Sequence, residues 1–303
     1  MTTYIYHLYL LSLYDNYGLR MRHEEHLKSL AKGDELLGTR LRTEFFNLIL
    51  ATKLRDQLPG TLALKGGGLM RLVFGGGRFS KDLDFQCSNP DAGRIERGIR
   101  RAVKQTERYV DYVERCELTK KKGSEAALTM KVKAICTDGG VLYSKVEISA
   151  RTYPRDSGPC EGKLHPRIKS LYRVTQTRVD HIEPTMALGE KVLALADPKR
   201  VAARDVLDVC LLLQSRIRLG ITAFAPLATG RGRDPGETLR SARKKLDREQ
   251  IRKNFSEEVV RTLLPDEAID DECFGRALDT VDLFLCELEK EYALQGQTAK
   301  ANE

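Results

Sequence analysis

The chain has 303 residues, 41% of them hydrophobic and 31% charged, with a formal net charge of +8. That is enough apolar content for one large or two modest domains with real cores, and it excludes a disordered chain. Seven cysteines, at 87, 116, 136, 160, 210, 273 and 286, form no C-x-x-C pair and no Cys/His cluster, so scattered reduced thiols are expected and structural zinc is not.

In chain order, the amino-terminal stretch "MTTYIYHLYLLSLYDNY" has no basic lead and is broken by Thr, His, Ser and Asp. It therefore reads as neither a secretory signal nor a membrane span, and a cytoplasmic protein is expected. Residues 39–57 have helical apolar spacing and stop at Pro59-Gly60. "TLAL" predicts a short strand ending at Lys65, the following glycines a turn, and "LMRLVF" a short helix broken by Gly75-Gly76-Gly77. "DLDFQC" reads as a second strand, and a basic helix follows near 91–114. "LTMKVKAI" and "VLYSKVEISA" are alternating runs around "CTDGG", whose Asp138-Gly139 signals a β-hairpin. Beyond about 183 the pattern is helical, with "PTMALGEKVLALA" and "PKRVAARDVLDVCLLLQ" as separate helices and Pro198 at the first position of the second. The picture is a sheet-bearing half followed by a helical half.

Positive charge concentrates in residues 94–122, with ten Lys/Arg against five acids, and in residues 231–253, with nine against four. Each run reads either as solvated helix faces or as a surface that follows a nucleic-acid backbone; without RNP aromatics, a helix-turn-helix or a zinc knuckle, charge alone does not choose. A basic surface favours a monomer.

The most informative stretch is "KGGGLMRLVFGGGRFSKDLDF", Lys65 to Phe85. Alternation puts Asp82 and Asp84 on one strand face, with Leu83 and Phe85 on the other. Paired carboxylates repel unless neutralised, and an all-oxygen pair suits Mg²⁺, which borrows further ligands from water and phosphate. The glycine turn, with unshielded N–H groups, supplies an anion cradle. Together they predict a site for a nucleoside triphosphate and its metal. In "YSKVEIS", Tyr143, Lys145, Glu147 and Ser149 share a face, so Glu147 is either a third acid of this site or an exposed edge-strand glutamate. Lys191 is either a solvated helix lysine or a cation for the triphosphate. Asp205 lies on a 201–205–208–212 stripe with Asp208 and is either a structural ion-pair acid or a site acid, with Arg204, Lys191 or a nucleotide as its partner.

These residues carry a resemblance. "LKGGGLMRLVFGGGRFSKDLDF", "VEIS" and "EKVLALADPKRVAARDVLDVCLLL" are similar to successive motifs of the AbiEii/AbiGii nucleotidyltransferase family, the toxins of AbiE and MenAT toxin–antitoxin systems, within the DNA polymerase β-like superfamily. The family pattern is K-G-G-T/S, an apolar helix and R-x-S-x-D-h-D, then K-x-x-A and R/H-D-h-h-D-h. Lys191, Arg204, Asp205 and Asp208 fall at matching positions. Gly68 stands in place of the small hydroxyl, so a side-chain contact to phosphate is replaced by a backbone N–H.

The resemblance implies an α+β, bilobed fold. A mixed-sheet nucleotidyltransferase core occupies residues 1–160, with a helical lead-in over about 1–57, and a mainly helical lobe over 161–303 contributes Lys191 and Asp205 to the site. It implies catalytic Asp82, Asp84, Glu147, Lys191 and Asp205, with Asp82 and Asp84 holding Mg²⁺. Lys65, Gly66, Gly67, Arg78, Ser80 and Arg204 would bind the NTP, and Ser80 is exposed enough to be a point of control by modification. The expected activity is NMP transfer to an RNA acceptor, at the 3′ end of tRNA in related toxins, which blocks aminoacylation and translation, with a cognate antitoxin as partner. Nucleotidylation of a protein or small molecule, and non-catalytic nucleotide or RNA binding, are the alternatives.

Overall fold

A computed structural model describes residues 23–87, 91–121, 127–150, 158–175, 177–200, 203–246, 248–259, 263 and 269–301; the amino-terminal stretch over 1–17 and Val201, both used above, lie outside them. Helix α1 (His23–Ala31) leads into α2 (Glu35–Gln57), whose N-cap Asp34 accepts the Leu37 N–H at 2.9 Å. Gly60, at φ +62°, turns the chain past the end of α2 into β1 (Ala63–Lys65). Helix α3 (Gly66–Leu72) begins on the glycines themselves, which form its first turn where a separate turn was expected. Then come β2 (Asp82–Cys87), α4 (Ala92–Tyr109), β3 (Val113–Lys121), β4 (Ala127–Cys136) and β5 (Val141–Ala150). Asp138-Gly139 closes the β4–β5 hairpin, with Gly139 at φ +82° and the Asp138 carboxylate accepting the Gly140 N–H at 2.9 Å.

Three strands depart from the sequence reading. The end of the basic run is a strand, β3, and two further strands, β6 (Cys160–Lys163) and β7 (Arg178–His181), flank α5 (Pro166–Tyr172). The seven strands form one mixed sheet in the order β3-β4-β5-β2-β1-β7-β6, in which β2 and β5 are parallel, as are β1 and β7, and the other pairs antiparallel. After β7 the described chain is helical: α6 (Pro184–Leu195), α7 (Ala203–Gln214), α8 (Ile221–Thr229), α9 (Pro235–Lys244), α10 (Arg248–Asn254) running into a π turn (Phe255–Val259), and α11 (Asp271–Ala301). Helix α7 starts at Ala203 and not at Pro198, because Asp197 accepts the Lys199 N–H at 2.9 Å and holds residues 197–200 in a turn. No helix among the described residues is long and apolar enough to cross a membrane, and all seven cysteines are free.

Helices α2 and α4 cover one face of the sheet. In α4 the apolar residues Ile95, Ile99, Ala102 and Val103 recur at helical spacing and are buried, leaving the arginines outside. Leu83, Phe85, Val132, Val146 and Ile148 meet those helices, so alternation forces their strand neighbours onto the opposite face. Beneath α3, the buried Arg71 donates from Nε to Glu44 Oε1 at 2.7 Å, from Nη2 to Glu44 Oε2 at 3.1 Å and from Nη1 to the Gly76 carbonyl at 2.6 Å, while the Tyr172 hydroxyl donates to the same Glu44. A buried pair so fully hydrogen-bonded fixes α2, α3, α5 and the second glycine run in one arrangement.

Candidate active site

The carboxylates come together by register. Strand β2 pairs in parallel with β5, so Asp82 lies opposite Lys145 and Asp84 opposite Glu147, while β1 places Lys65 on the other side of Asp84. The three acids thus occupy neighbouring positions on the face the helices do not cover. Burial, then the charges of Glu147 and Asp82, push the Asp84 carboxyl above its ordinary value. Lys145 is the counter-charge: its Nζ lies 3.2 Å from Asp82 Oδ2 and 3.0 Å from Glu147 Oε2. On β1, Lys65 Nζ donates to Ser149 Oγ at 2.8 Å. Among the described residues no three acids, histidines or thiols form a ready metal cage.

The glycines stand where they do because side chains would not fit. A Cβ on Gly66 would fall 2.7 Å from Asp84 Oδ2, and its φ is +65°; a Cβ on Gly67 would meet Ser80 Oγ at 2.9 Å and the Arg78 guanidinium at 3.1 Å. The backbone of the turn is therefore pressed against the acids and against Ser80 and Arg78. Gly68 differs: a Cβ there would point at Leu64 and Leu83, at 3.3 and 3.6 Å. Only the first two glycines bring the backbone against the polar groups of the cleft, and the third serves the packing of α3 on the sheet. Gly66→Ala is expected to lower stability by about 1–2 kcal/mol, through steric strain and positive φ together. Gly60→Ala, also at positive φ but with nothing within 4 Å of the new methyl, isolates the φ part in urea unfolding. The Ser80 hydroxyl donates to the Asp82 carbonyl at 3.0 Å, and buried Asn47 of α2 donates to the Lys81 carbonyl at 3.1 Å, which holds the loop leading into β2.

Facing the acids is a cluster of cations. Lys191 Nζ on α6 lies 3.1 Å from Asp205 Oδ1 and 2.5 Å from Asp208 Oδ2. Arg78 donates to both Asp208 oxygens, at 3.3 and 2.8 Å. Arg200, from the turn before α7, sits 2.9 Å from Asp205 Oδ2 as an ion pair without hydrogen-bond geometry. Burial would raise the Asp208 carboxyl, but Arg78 and Lys191 outweigh it and hold the group at about 2. Three cations against two anions leave the cluster with an excess positive charge. The two aspartates lie beneath the surface, so Asp205 orients Lys191 and Arg200 and does not itself line the cavity; its partners are these two and not Arg204, which is exposed on the rim.

Acids, glycines and cations line one cleft of about 890 Å³, including Gly66, Gly67, Arg78, Ser80, Asp82, Asp84, Glu147, Lys191, Arg200 and Arg204. Lys65 is on an adjoining 240 Å³ pocket that shares Gly66, Asp84, Glu147, Lys191 and Arg200 with it. Three contributors escaped the sequence reading: Arg200, Lys145 and Asn47. Only Lys145 had a local signal, its place beside Glu147 in the alternation of β5.

A mixed sheet that sets strand carboxylates beside a glycine turn and opposite a cluster of cations defines a nucleotidyltransferase fold. JHP933 from Helicobacter pylori is similar to this chain at 18% identity and a TM-score of 0.53, covering 86% of this chain and 97% of its own. MenT4, a nucleotidyltransferase toxin from Mycobacterium tuberculosis, is similar at 15% identity and a TM-score of 0.51, covering 88% and 90%. No curated protein matches the chain by sequence. Residues 48–280 match the model for the AbiEii nucleotidyl transferase toxins of type IV toxin–antitoxin systems. The chain belongs to that family.

Proposed function

We propose that this toxin transfers a nucleoside monophosphate from an NTP to a hydroxyl of RNA, with the 3′ end of tRNA as acceptor, that translation stops because such a tRNA cannot be aminoacylated, and that a cognate antitoxin restrains it. The observation that carries this reading is the opposition, across one cleft, of Asp82, Asp84 and Glu147 to Lys191, Arg78 and Arg200, with the Gly66-Gly67 backbone between them. One wall suits a metal and the other a polyphosphate, and the excess of basic residues suits a nucleic-acid acceptor.

The acid wall fits a divalent cation: its donors are all oxygen, burial and then the charges of Glu147 and Asp82 hold Asp84 above its ordinary value, and one lysine is their counter-charge. Asp82 and Asp84 would hold Mg²⁺, which neutralises triphosphate charge and draws electron density from the attacked phosphorus. In the reaction an acceptor O–H attacks the α-phosphorus, a new O–P bond forms, the α-phosphorus to bridging-oxygen bond breaks and pyrophosphate leaves. Glu147, on the open side of the acid row, takes the acceptor proton. Lys191, Arg78 and Arg200 stabilise the charge that collects on the departing pyrophosphate, and the Gly66, Gly67 and Ser80 groups orient the phosphate chain.

The test is incubation of the protein with Mg²⁺, each α-³²P-labelled NTP in turn and total tRNA. Label on tRNA supports the reading and names the donor; label on protein alone, or on nothing while NTP still binds, overturns it. Lys145 gives a second measurement. Because it competes with a cation for Asp82 and Glu147, Lys145→Gln is expected to tighten Mn²⁺ binding, followed by electron paramagnetic resonance, by about 3- to 10-fold. Unchanged affinity would show that Asp82, the one proposed metal ligand Lys145 pairs with, does not hold the cation.

A further inference from the structure

Beyond β2 the acid-bearing face of the sheet continues across three strands, and no other described element packs over it. Register extends the acid rows outward: Asp82, Lys145, Lys131 and Thr119 form one row, Asp84, Glu147, Thr129 and Lys121 the next, and Tyr143, Lys133 and Glu117 a third. From Asp82 to the edge strand is three strand spacings, roughly 14 Å. On β3 and β4 this face carries Lys121, Lys131, Lys133 and Arg115 against a single acid, Glu117, which lies 3.2 Å from Lys133 and 3.7 Å from Arg115. Tyr143 stands in the middle with 67% of its surface exposed, and among the described residues its ring stacks on no other. The same cleft that holds the acids runs on to Tyr143, Val141 and, from α2, Leu36 and Arg40.

A bare aromatic ring and exposed apolar groups at the mouth of a charged cleft, followed by cations along an open sheet, combine the two elements that hold a nucleic-acid strand without regard to sequence: a surface for base stacking and a basic line for the phosphates. A folded protein partner would leave a flat, strongly cationic sheet with few apolar groups to bury.

We propose that the open face of β3, β4 and β5 is the track by which the single-stranded 3′ end of the acceptor RNA reaches the acids, with a base stacked on Tyr143 and phosphates on Lys131, Lys133 and Arg115. This rests on the transferase reading above and adds the path and the form of its acceptor. Glu117 keeps Lys133 and Arg115 in place on the sheet until phosphates replace it.

The test uses the full chain and a fluorescein-labelled 12-nucleotide single-stranded RNA with a free 3′ hydroxyl, read by anisotropy. Tyr143→Ala is expected to weaken binding about 10-fold. The double variant Lys131→Glu, Lys133→Glu is expected to weaken it more and to flatten the dependence of log Kd on log salt by about 2. Calorimetric binding of the four NTPs should be unchanged in both variants, which also shows that they are folded. RNA affinity within twofold of wild type in both variants overturns the track, and so does displacement of the RNA by polyglutamate with no dependence on Tyr143, which would assign the face to an acidic protein segment. The two readings fail separately: labelled tRNA with no effect of either variant removes the track and keeps the transferase, whereas RNA held on this face but never labelled keeps the track and removes the transfer to RNA.

Discussion

Asp84→Asn is expected to lower nucleotide transfer by at least about 10³-fold while raising the melting temperature. The two effects have one cause. The Asp84 carboxyl is held above its ordinary value by burial and by the negative charges of Glu147 and Asp82. A folded-state pKa above the unfolded one means that the folded chain binds the extra proton, so stability declines as pH rises through that raised value and the ionised carboxylate is a net cost at neutral pH. Asparagine keeps the size and removes the charge. Lys145 bridges Asp82 and Glu147, so its ion pairs survive the substitution. Thermal unfolding across pH, without added metal, reads the sign: the variant should lead at pH 7 and its advantage should shrink as pH falls through the raised value. A variant less stable than wild type at pH 7 would mean that this carboxylate is not held against its own charge, and retained transfer would remove Asp84 from the chemistry.

The same contrast explains what could be read from the sequence. Strands β2 and β5 were legible because one of their faces meets helices and the other a cleft, so buried and exposed residues alternate and most of the buried ones are apolar. Strand β3 was not, because its inner side offers little beyond Cys116 and Leu118 while its outer side is charged, and the segment merges with the basic run of α4. Strands β6 and β7 have four residues each; they are strands by virtue of the edge that β1 offers, which no local pattern announces. Site residues followed the same division. Asp82, Asp84 and Lys191 stood out by type and spacing. That Glu147 is level with Asp84 is a matter of strand order and register, which alternation narrows but does not determine. Arg200 was invisible because its role depends on the Asp197 turn that brings it back toward Asp205. The stripe that joins Asp205 to Asp208 implied buried acids with partners, yet which cations answered them depended on how α6 packs against α7.

Asp208→Asn is expected to act in the opposite sense to Asp84→Asn, lowering stability by about 3–5 kcal/mol and the melting temperature by on the order of 10 °C. Asp208 is buried between Arg78 and Lys191 and is held at about 2 where an ordinary carboxyl is at 3.8. Removing its charge leaves two enclosed cations with Asp205 alone, and Asp205 already faces Arg200. A depressed pKa places the stabilisation above the unfolded value, so the wild-type advantage should be full at pH 7 and be lost only as pH falls from about 4 toward 2; the shift itself accounts for on the order of 2 kcal/mol of it. The remainder reflects desolvated cations without a partner. Because Asp208 lies below the cleft and acts through Lys191 and Arg78, the kinetic effect should follow those two groups: a higher KM for NTP, from a phosphate site whose cations are no longer aimed, together with a lower kcat. Measured well below the variant's melting temperature, an unchanged KM with a full loss of stability would assign Asp208 to packing alone, and would leave Lys191 and Arg78 to be oriented by Asp205 and the bound triphosphate.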